Sequence, residues 1–236
     1  MEFNEVRALV VDIEGTTSSI AFVKEQLYPY ARKHIPGYVQ EHATAIQDVL
    51  DEVRRIDENA ALDIPQLIAV LLRWMDDDRK FTPLKALQGL VWQNGFDSGA
   101  LCAPIYEDAL RALRRWREQG LKLYIYSSGS VKAQQLLFAH TEQGDLTPLF
   151  SGYFDTTTGS KLEADSFRSI ARSIALPAKA ILFLSDHIGE IEAARAAGMH
   201  AAWVDRDPVL ASVGGSVRIR NFDEIVILNT GARGQD

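Results

Sequence analysis

Two hydrophobic periods alternate along the chain after about residue 100. Over residues 107–119 the apolar positions Leu110, Leu113 and Trp116 recur at helical spacing, with Gly120 as a C-terminal cap. Residues 121–126 read as a strand, closed by Ser127-Ser128-Gly129-Ser130. Residues 131–140 predict a helix with Lys132, Gln134 and Gln135 on its wetter side, and residues 152–155 a short strand. An amphipathic helix follows over 165–176, through Phe167, Ile170, Ala171 and Ile174. An unbroken apolar strand over 180–184 then ends in Ser185-Asp186. A helix over 190–197 stops at Gly198, and 200–204 is the next strand. Near the start, Val6-Arg7-Ala8-Leu9-Val10-Val11 is one more buried strand. Strands that are apolar throughout, separated by helices, indicate a parallel sheet covered on both faces.

Residues 19–100 follow another pattern. They are rich in Ala, Leu, Glu, Gln and Arg, with helical periodicity over 43–56 and 64–74 and no comparable strand. The predicted fold class is α/β. Residues 1–18 and 101–236 form a Rossmann-like parallel sheet core, and residues 19–100 an all-helical cap inserted after the first strand. Such an insert is read as a cover that excludes water and shapes a pocket.

In parallel sheets the ligand crevice lies at the carboxyl ends of the strands. Asp12, Ser127 and Asp186 all fall at such ends. Asp12 and Glu14 stand two residues apart, so their carboxylates share a face if the strand persists through them. Paired acids at a strand end suit a hard cation, and with it chemistry on a phosphorylated substrate. A strand end capped by polar turn residues is the plain alternative.

Composition narrows the setting. At 236 residues, 47% hydrophobic and 24% charged, the chain is an ordinary globular protein. No apolar run approaches the roughly 20 residues that span a bilayer. An acidic Met-Glu-Phe-Asn-Glu start lacks the regions of a signal peptide, and a single cysteine, Cys102, fits a reducing cytoplasm. Cys102 reads as a small packed side chain. A net charge of −7 argues against sequence-independent nucleic-acid binding but not against a small anionic substrate. The five histidines show no metal-ligand spacing. Asp76-Asp77-Asp78 reads as a solvated surface, the four tryptophans as core, and residues 229–236 as a polar, frayed tail.

Asp12-x-Glu14, Ser127-Ser128-Gly129, Lys161 and Ser185-Asp186 followed by Glu190 come in an order that resembles the haloacid-dehalogenase-like hydrolases over the whole chain. Residues 12–23, the stretch Leu87-Gln-Gly-Leu-Val-Trp-Gln93 and Tyr126-Ser-Ser-Gly-Ser-Val131 are similar to the enolase-phosphatase branch of that superfamily. Most superfamily members carry Asp where this chain has Glu14, and the exchange is typical of that branch.

The resemblance implies one Mg²⁺ per subunit, held by Asp12, Asp186 and the backbone carbonyl of Glu14. It implies Asp12 as nucleophile, forming an aspartyl-phosphate. Ser127, with the N–H groups of Ser128 and Gly129, would hold phosphate oxygens; a plain capping serine is the alternative. Lys161 would neutralise the phosphoryl group and orient Asp12, whereas a lysine after Gly159-Ser160 is otherwise a solvated residue. Glu190 would partner Lys161 or a metal-bound water, or else be a solvated helix-start glutamate. Glu14 would share in acid–base work.

The implied substrate is 2,3-diketo-5-methylthiopentyl 1-phosphate, enolised and dephosphorylated to an acireductone in methionine salvage. The implied protein is a cytoplasmic monomer with no nucleic-acid or membrane partner. Two other functions fit parts of the pattern. One is a general phosphomonoesterase of the same superfamily; the other is a phospho-aspartate signalling module, typically near half this length and without a helical insert.

Overall fold

The computed structural model describes residues 1–206 and 218–228. The expected frayed tail, residues 229–236, lies outside the described residues. The chain divides into two units, Met1–Ile20 with Ala103–Asp236, and Ala21–Cys102.

The chain opens with β1 (Glu2–Asn4) and β2 (Ala8–Val11), then a helical turn α1 (Ile20–Phe22). A π-helical segment, Val23–Leu27, leads into α2 (Tyr28–His42). Then come α3 (Gln47–Ile56), α4 (Ile64–Asp76) and α5 (Thr82–Asp97). The Ala21–Cys102 unit buries a core of its own, including Ile35, Leu50, Leu67, Leu71, Leu84 and Leu87. Asp63 starts α4 with a capping box: its side chain accepts from the Gln66 N–H at 2.9 Å, and the Gln66 side chain accepts from the Asp63 N–H at 3.0 Å. In the π segment the Leu27 carbonyl is covered by the Trp92 indole N–H at 2.8 Å. Trp92 is therefore a half-buried cap rather than the core residue expected, whereas Trp74, Trp116 and Trp203 are buried.

The second unit resumes with α6 (Glu107–Glu118), β3 (Lys122–Tyr126), α7 (Val131–Ala139), β4 (Gly152–Phe154) and α8 (Ala164–Ile174). It continues with β5 (Ile181–Ser185), α9 (Ile188–Ala196), β6 (His200–Val204), β7 (Arg218–Ile219) and β8 (Val226–Leu228). Six strands form one parallel sheet in the order β4-β3-β2-β5-β6-β7. The fold is thus α/β with a Rossmann-like parallel core. Both faces of β2 and β5 are buried, as their unbroken apolar sequences require. One face packs Val10, Phe183 and Tyr126 against Phe167, Ile170 and Ile191 of α8 and α9.

Two further expectations need correction. The sequence offers one N-terminal strand, but β1 and β8 form a separate two-stranded parallel sheet, so the helical insert follows the second strand. Cys102 is exposed rather than packed, because it sits in the connection between the two units and not in an element.

The order of strands reverses around β2. From β2 the chain adds β3 and β4 on one side, and later β5, β6 and β7 on the other. Such a reversal opens a crevice at the carboxyl ends of the inner strands. The register, Val11 beside Ile125 and Leu184, brings the ends of β2, β3 and β5 level.

Candidate active site

The β2 ladder stops at Val11, although the Asp12 N–H still bonds to the Leu184 carbonyl at 2.9 Å. The condition for Asp12 and Glu14 to share a strand face is therefore not met. Ile13 begins a tight turn in which the N–H groups of Thr16, Thr17 and Ser18 all reach the Ile13 carbonyl, at 3.2, 2.9 and 2.9 Å. As a result Asp12 is buried and Glu14 exposed.

Gly15 makes this turn possible twice over. Its φ is +69°, and a Cβ there would lie 2.0 Å from Asp186 Oδ2. The Asp186 carboxylate thus packs directly on the turn that follows Asp12. Its backbone is held as well, since the Asp186 N–H donates to Thr16 Oγ1 at 2.9 Å and Trp203 Nε1 donates to the Asp186 carbonyl at 2.8 Å.

Lys161 is buried between two carboxylates, with Nζ 2.7 Å from Asp12 Oδ1 and 2.8 Å from Glu190 Oε2. Burial alone would lower the lysine pKa, but the Asp12 and Glu190 charges outweigh it and hold it above its usual value. The loop that delivers Lys161 needs Gly159. Its φ is +137°, and a Cβ there would meet Ser166 Oγ at 2.2 Å, so no side chain fits. Tyr126 donates to the Gly159 carbonyl at 3.0 Å and ties the same loop to the end of β3.

Ser185, fully buried, donates to Glu190 Oε2 at 2.8 Å and lies 3.4 Å from Asp12 Oδ2. One hydroxyl proton serves one acceptor at a time, and the shorter contact takes it. Desolvation, reinforced by the Asp12 charge, raises the Glu190 pKa. Desolvation, with the Asp12 and Glu190 charges, pushes Asp186 up to about 6.

Two carboxylates therefore share one ammonium group, and the Asp186 carboxylate lies within reach of their charges. Among the described residues no group of three or more His, Cys, Asp or Glu side chains is disposed to hold a metal ion. The donors that fit a hard cation are two carboxylates, Asp12 and Asp186, with main-chain oxygen of the intervening turn. The excess of negative charge and the all-oxygen chemistry suit Mg²⁺.

Ser127, Ser128 and Gly129 form a second cluster, in the loop between β3 and α7. Ser127 is buried, its N–H bonds to the Phe154 carbonyl at 3.2 Å, and its Oγ accepts weakly from the Gly129 N–H at 3.4 Å. Ser130 caps α7 by accepting from the Ala133 N–H at 3.3 Å.

Several residues here carry no signal in the sequence. Gln134, expected on the wet face of α7, is buried, because it reaches back to the carbonyls of Gly129 and Phe154. Arg206 lies past the end of β6. It donates twice to the Thr16 carbonyl, at 3.1 and 2.7 Å, forks onto Asp108 at 2.9 and 3.0 Å, and stacks 3.9 Å from the Tyr106 ring centroid. Only Thr16 and Ser185, polar residues beside Asp12 and Asp186 at the strand ends, were within reach of a positional argument.

A six-stranded parallel sheet, with a lysine-paired aspartate at the end of an inner strand, makes the protein an α/β protein with a buried charged cluster at the carboxyl ends of its strands. The chain belongs to the haloacid dehalogenase-like hydrolases, whose family pattern matches residues 6–198. Hydrolases of this family generally use Mg²⁺.

The chain is 52% identical over 204 residues to an enolase-phosphatase of Pseudomonas syringae, covering 86% of this chain and 90% of the relative. It is 49% identical over 224 residues to an enolase-phosphatase of Pseudomonas aeruginosa, covering 94% and 99%. The crystal structure of the unknown transcript 4 protein of Saccharomyces cerevisiae superposes with a TM-score of 0.78 at 35% identity, over 92% of this chain and 99% of that one.

Proposed function

We propose that this protein is a bifunctional, Mg²⁺-dependent enolase-phosphatase of methionine salvage. Its substrate would be 2,3-diketo-5-methylthiopentyl 1-phosphate, and its products phosphate and the acireductone 1,2-dihydroxy-3-keto-5-methylthiopentene. What carries the reading is the buried Lys161–Asp12 pair at the end of β2, in a chain about half identical to enolase-phosphatases.

Each residue has its own part in this scheme. Lys161 fixes Asp12 Oδ1 and so sets the direction of the carboxylate, while Glu190, itself held by the Ser185 hydroxyl, holds the lysine. The N–H groups of Ser128 and Gly129 and the Ser127 hydroxyl receive the phosphate oxygens. The reaction begins when a base removes the acidic proton of the phosphate-bearing carbon and the neighbouring ketone oxygen takes up a proton, giving the enol phosphate. An Asp12 oxygen then bonds to phosphorus as the ester P–O bond breaks, and the departing enol oxygen gains a proton. Water next attacks the phosphorus of the aspartyl-phosphate, freeing phosphate and the Asp12 carboxylate. Glu14, exposed beside this centre, exchanges protons with the leaving group and that water. Asp12, Asp186 and the Glu14 carbonyl would hold Mg²⁺, which when bound offsets the repulsion between Asp12 and a phosphate dianion and stabilises an enolate.

The scheme further takes the protein to act as a cytoplasmic monomer. Among the described residues, no helix is long and apolar enough to cross a membrane. The test is phosphate release from the diketo phosphate with and without Mg²⁺, oxygen excluded, with enediol absorbance followed alongside. Mg²⁺-dependent release accompanied by an enediol is expected. Release from other phosphomonoesters but not from this one would leave Asp12 chemistry standing and remove the substrate.

A further inference from the structure

Gln134 on α7 has no role in the scheme above, yet it is among the most deeply placed polar side chains of its unit, at 2% exposure. Its Nε2 donates to two carbonyls at 2.8 Å each: Gly129 in the loop after β3, and Phe154 at the end of β4. Its Oε1 is buried with no hydrogen-bond partner among the described residues. A buried unpaired acceptor costs stability, and methionine or leucine would fill the same space without that cost. The side chain is therefore explained by its two donors and not by its volume.

What those donors hold is the chain on either side of the Gly129 carbonyl. A trans peptide is planar, so fixing that carbonyl fixes the whole Gly129–Ser130 peptide and the entry into α7. The second bond anchors the same amide to Phe154, whose carbonyl also accepts the Ser127 N–H at 3.2 Å. A further tie runs parallel to it, from the Val131 N–H to Asp155 Oδ2 at 3.1 Å. Ser127, Gly129 and the first turn of α7 are thus each tied to the end of β4, and for Gly129 the tie is the Gln134 amide.

We propose that Gln134 is a positioning residue for phosphate: its forked amide holds the Ser127–Gly129 loop in the geometry that receives the phosphate of the substrate. This rests on the assignment of that loop as the phosphate-binding loop. Gln134 touches neither the phosphate nor Asp12; it acts through the loop. Because the loop binds phosphate in substrate and product alike, disturbing it weakens binding more than turnover.

The test uses the Mg²⁺-loaded enzyme and two variants, Q134M and Q134L, which keep an apolar filler and remove both donors. KM for the diketo phosphate and Ki for inorganic phosphate are expected to rise together by about tenfold, with kcat changed by less than about threefold. A variant that melts earlier but keeps wild-type KM and Ki would make Gln134 a packing residue and overturn the proposal. Failure of both variants to fold would overturn it too, since the amide would then be a requirement of the core. A wild-type enzyme that turns over the substrate but is not inhibited by inorganic phosphate would instead remove the loop assignment beneath it.

Discussion

Lys161 shows how far a single residue can depart from what its sequence neighbours suggest. After Gly159-Ser160 it looks like a surface lysine, yet it is 7% exposed and bridges Asp12 and Glu190. Replacing it by Met would strand two buried carboxylates without a cation. Phosphate release by K161M is expected to fall by roughly 10²–10³-fold, and the variant to lose about 3–5 kcal/mol in urea unfolding. Glu14 is the opposite case, exposed and outside the core, so E14Q should keep the wild-type melting temperature while turnover falls. Unchanged turnover in E14Q would take Glu14 out of the mechanism. Gly15 is a third kind of residue, fixed by space: G15A puts a Cβ against Asp186 Oδ2 at a positive φ. It is expected to cost about 1–3 kcal/mol by thermal or urea unfolding, and to weaken Mg²⁺ binding in a calorimetric titration. Asp12, Glu14 and Asp186 could be named from sequence because strand ends can be read from apolar runs. Gln134 and Arg206 could not, since a polar residue on a helix or past a strand looks the same whether it bonds to water or to a buried carbonyl.

Strand burial makes elements legible more than length does, since the two longest helices, α2 and α5, are not located from the sequence. The inner strands β2 and β5 stand out as apolar runs, β3 is legible despite its exposed Lys122, and β6 is legible with its observed bounds. Of the edge strands, β4 is read over 152–155 and spans Gly152–Phe154, whereas β1, with three residues, and β7, with two, carry no period of their own. Helix α2 is obscured by Pro36 within it, although Ala31, Ile35 and Val39 do recur every four residues on its buried face. Between elements, the most consequential tie is Arg206 with Asp108. It joins the start of α6 and the Phe222 N–H, 2.8 Å from Asp108 Oδ2, to the turn after Asp12. Desolvation pushes the Asp108 carboxyl up, but the bonds from Arg206 and from the Phe222 N–H prevail and hold it below its usual range. A carboxylate with a lowered folded-state pKa stabilises fully above its unfolded value, and that contribution fades as pH falls through the folded value. D108N should therefore flatten the acid limb of the stability–pH curve below about pH 4 and leave its alkaline limb unchanged. Equal acid sensitivity in D108N and wild type would dismiss the pair as a stabilising contact.

At the scale of the molecule, the net charge of −7 is not spread evenly in its effect. Asp12 and Glu190 share Lys161, and Asp186, within reach of their charges, is pushed up to about 6 by desolvation, Asp12 and Glu190. A folded state that concentrates carboxylates is stabilised by any cation that binds there and not to the unfolded chain. Mg²⁺ should raise the melting temperature of the wild type and have little effect on D186N; an equal shift in both would place the ion elsewhere. The acidic patch Asp76-Asp77-Asp78 is not a rival site among the described residues. Asp76 pairs with Arg32 at 3.0 Å, and Asp78 accepts from Tyr28 at 3.3 Å.

The π-helical segment Val23–Leu27 can be seen as one residue too many within an otherwise α-helical run. Deleting a single residue there would return the run to the α register and turn Phe22 by about 100° relative to the Ala31–Ile35–Val39 stripe. Phe22, now 2% exposed, would leave its buried position, and the Trp92 indole would lose the carbonyl it covers. The chain would remain helical while Phe22 turned out of the position it now fills. A one-residue gap in a relative at this place therefore signals a re-seated Phe22 and not a shortened loop.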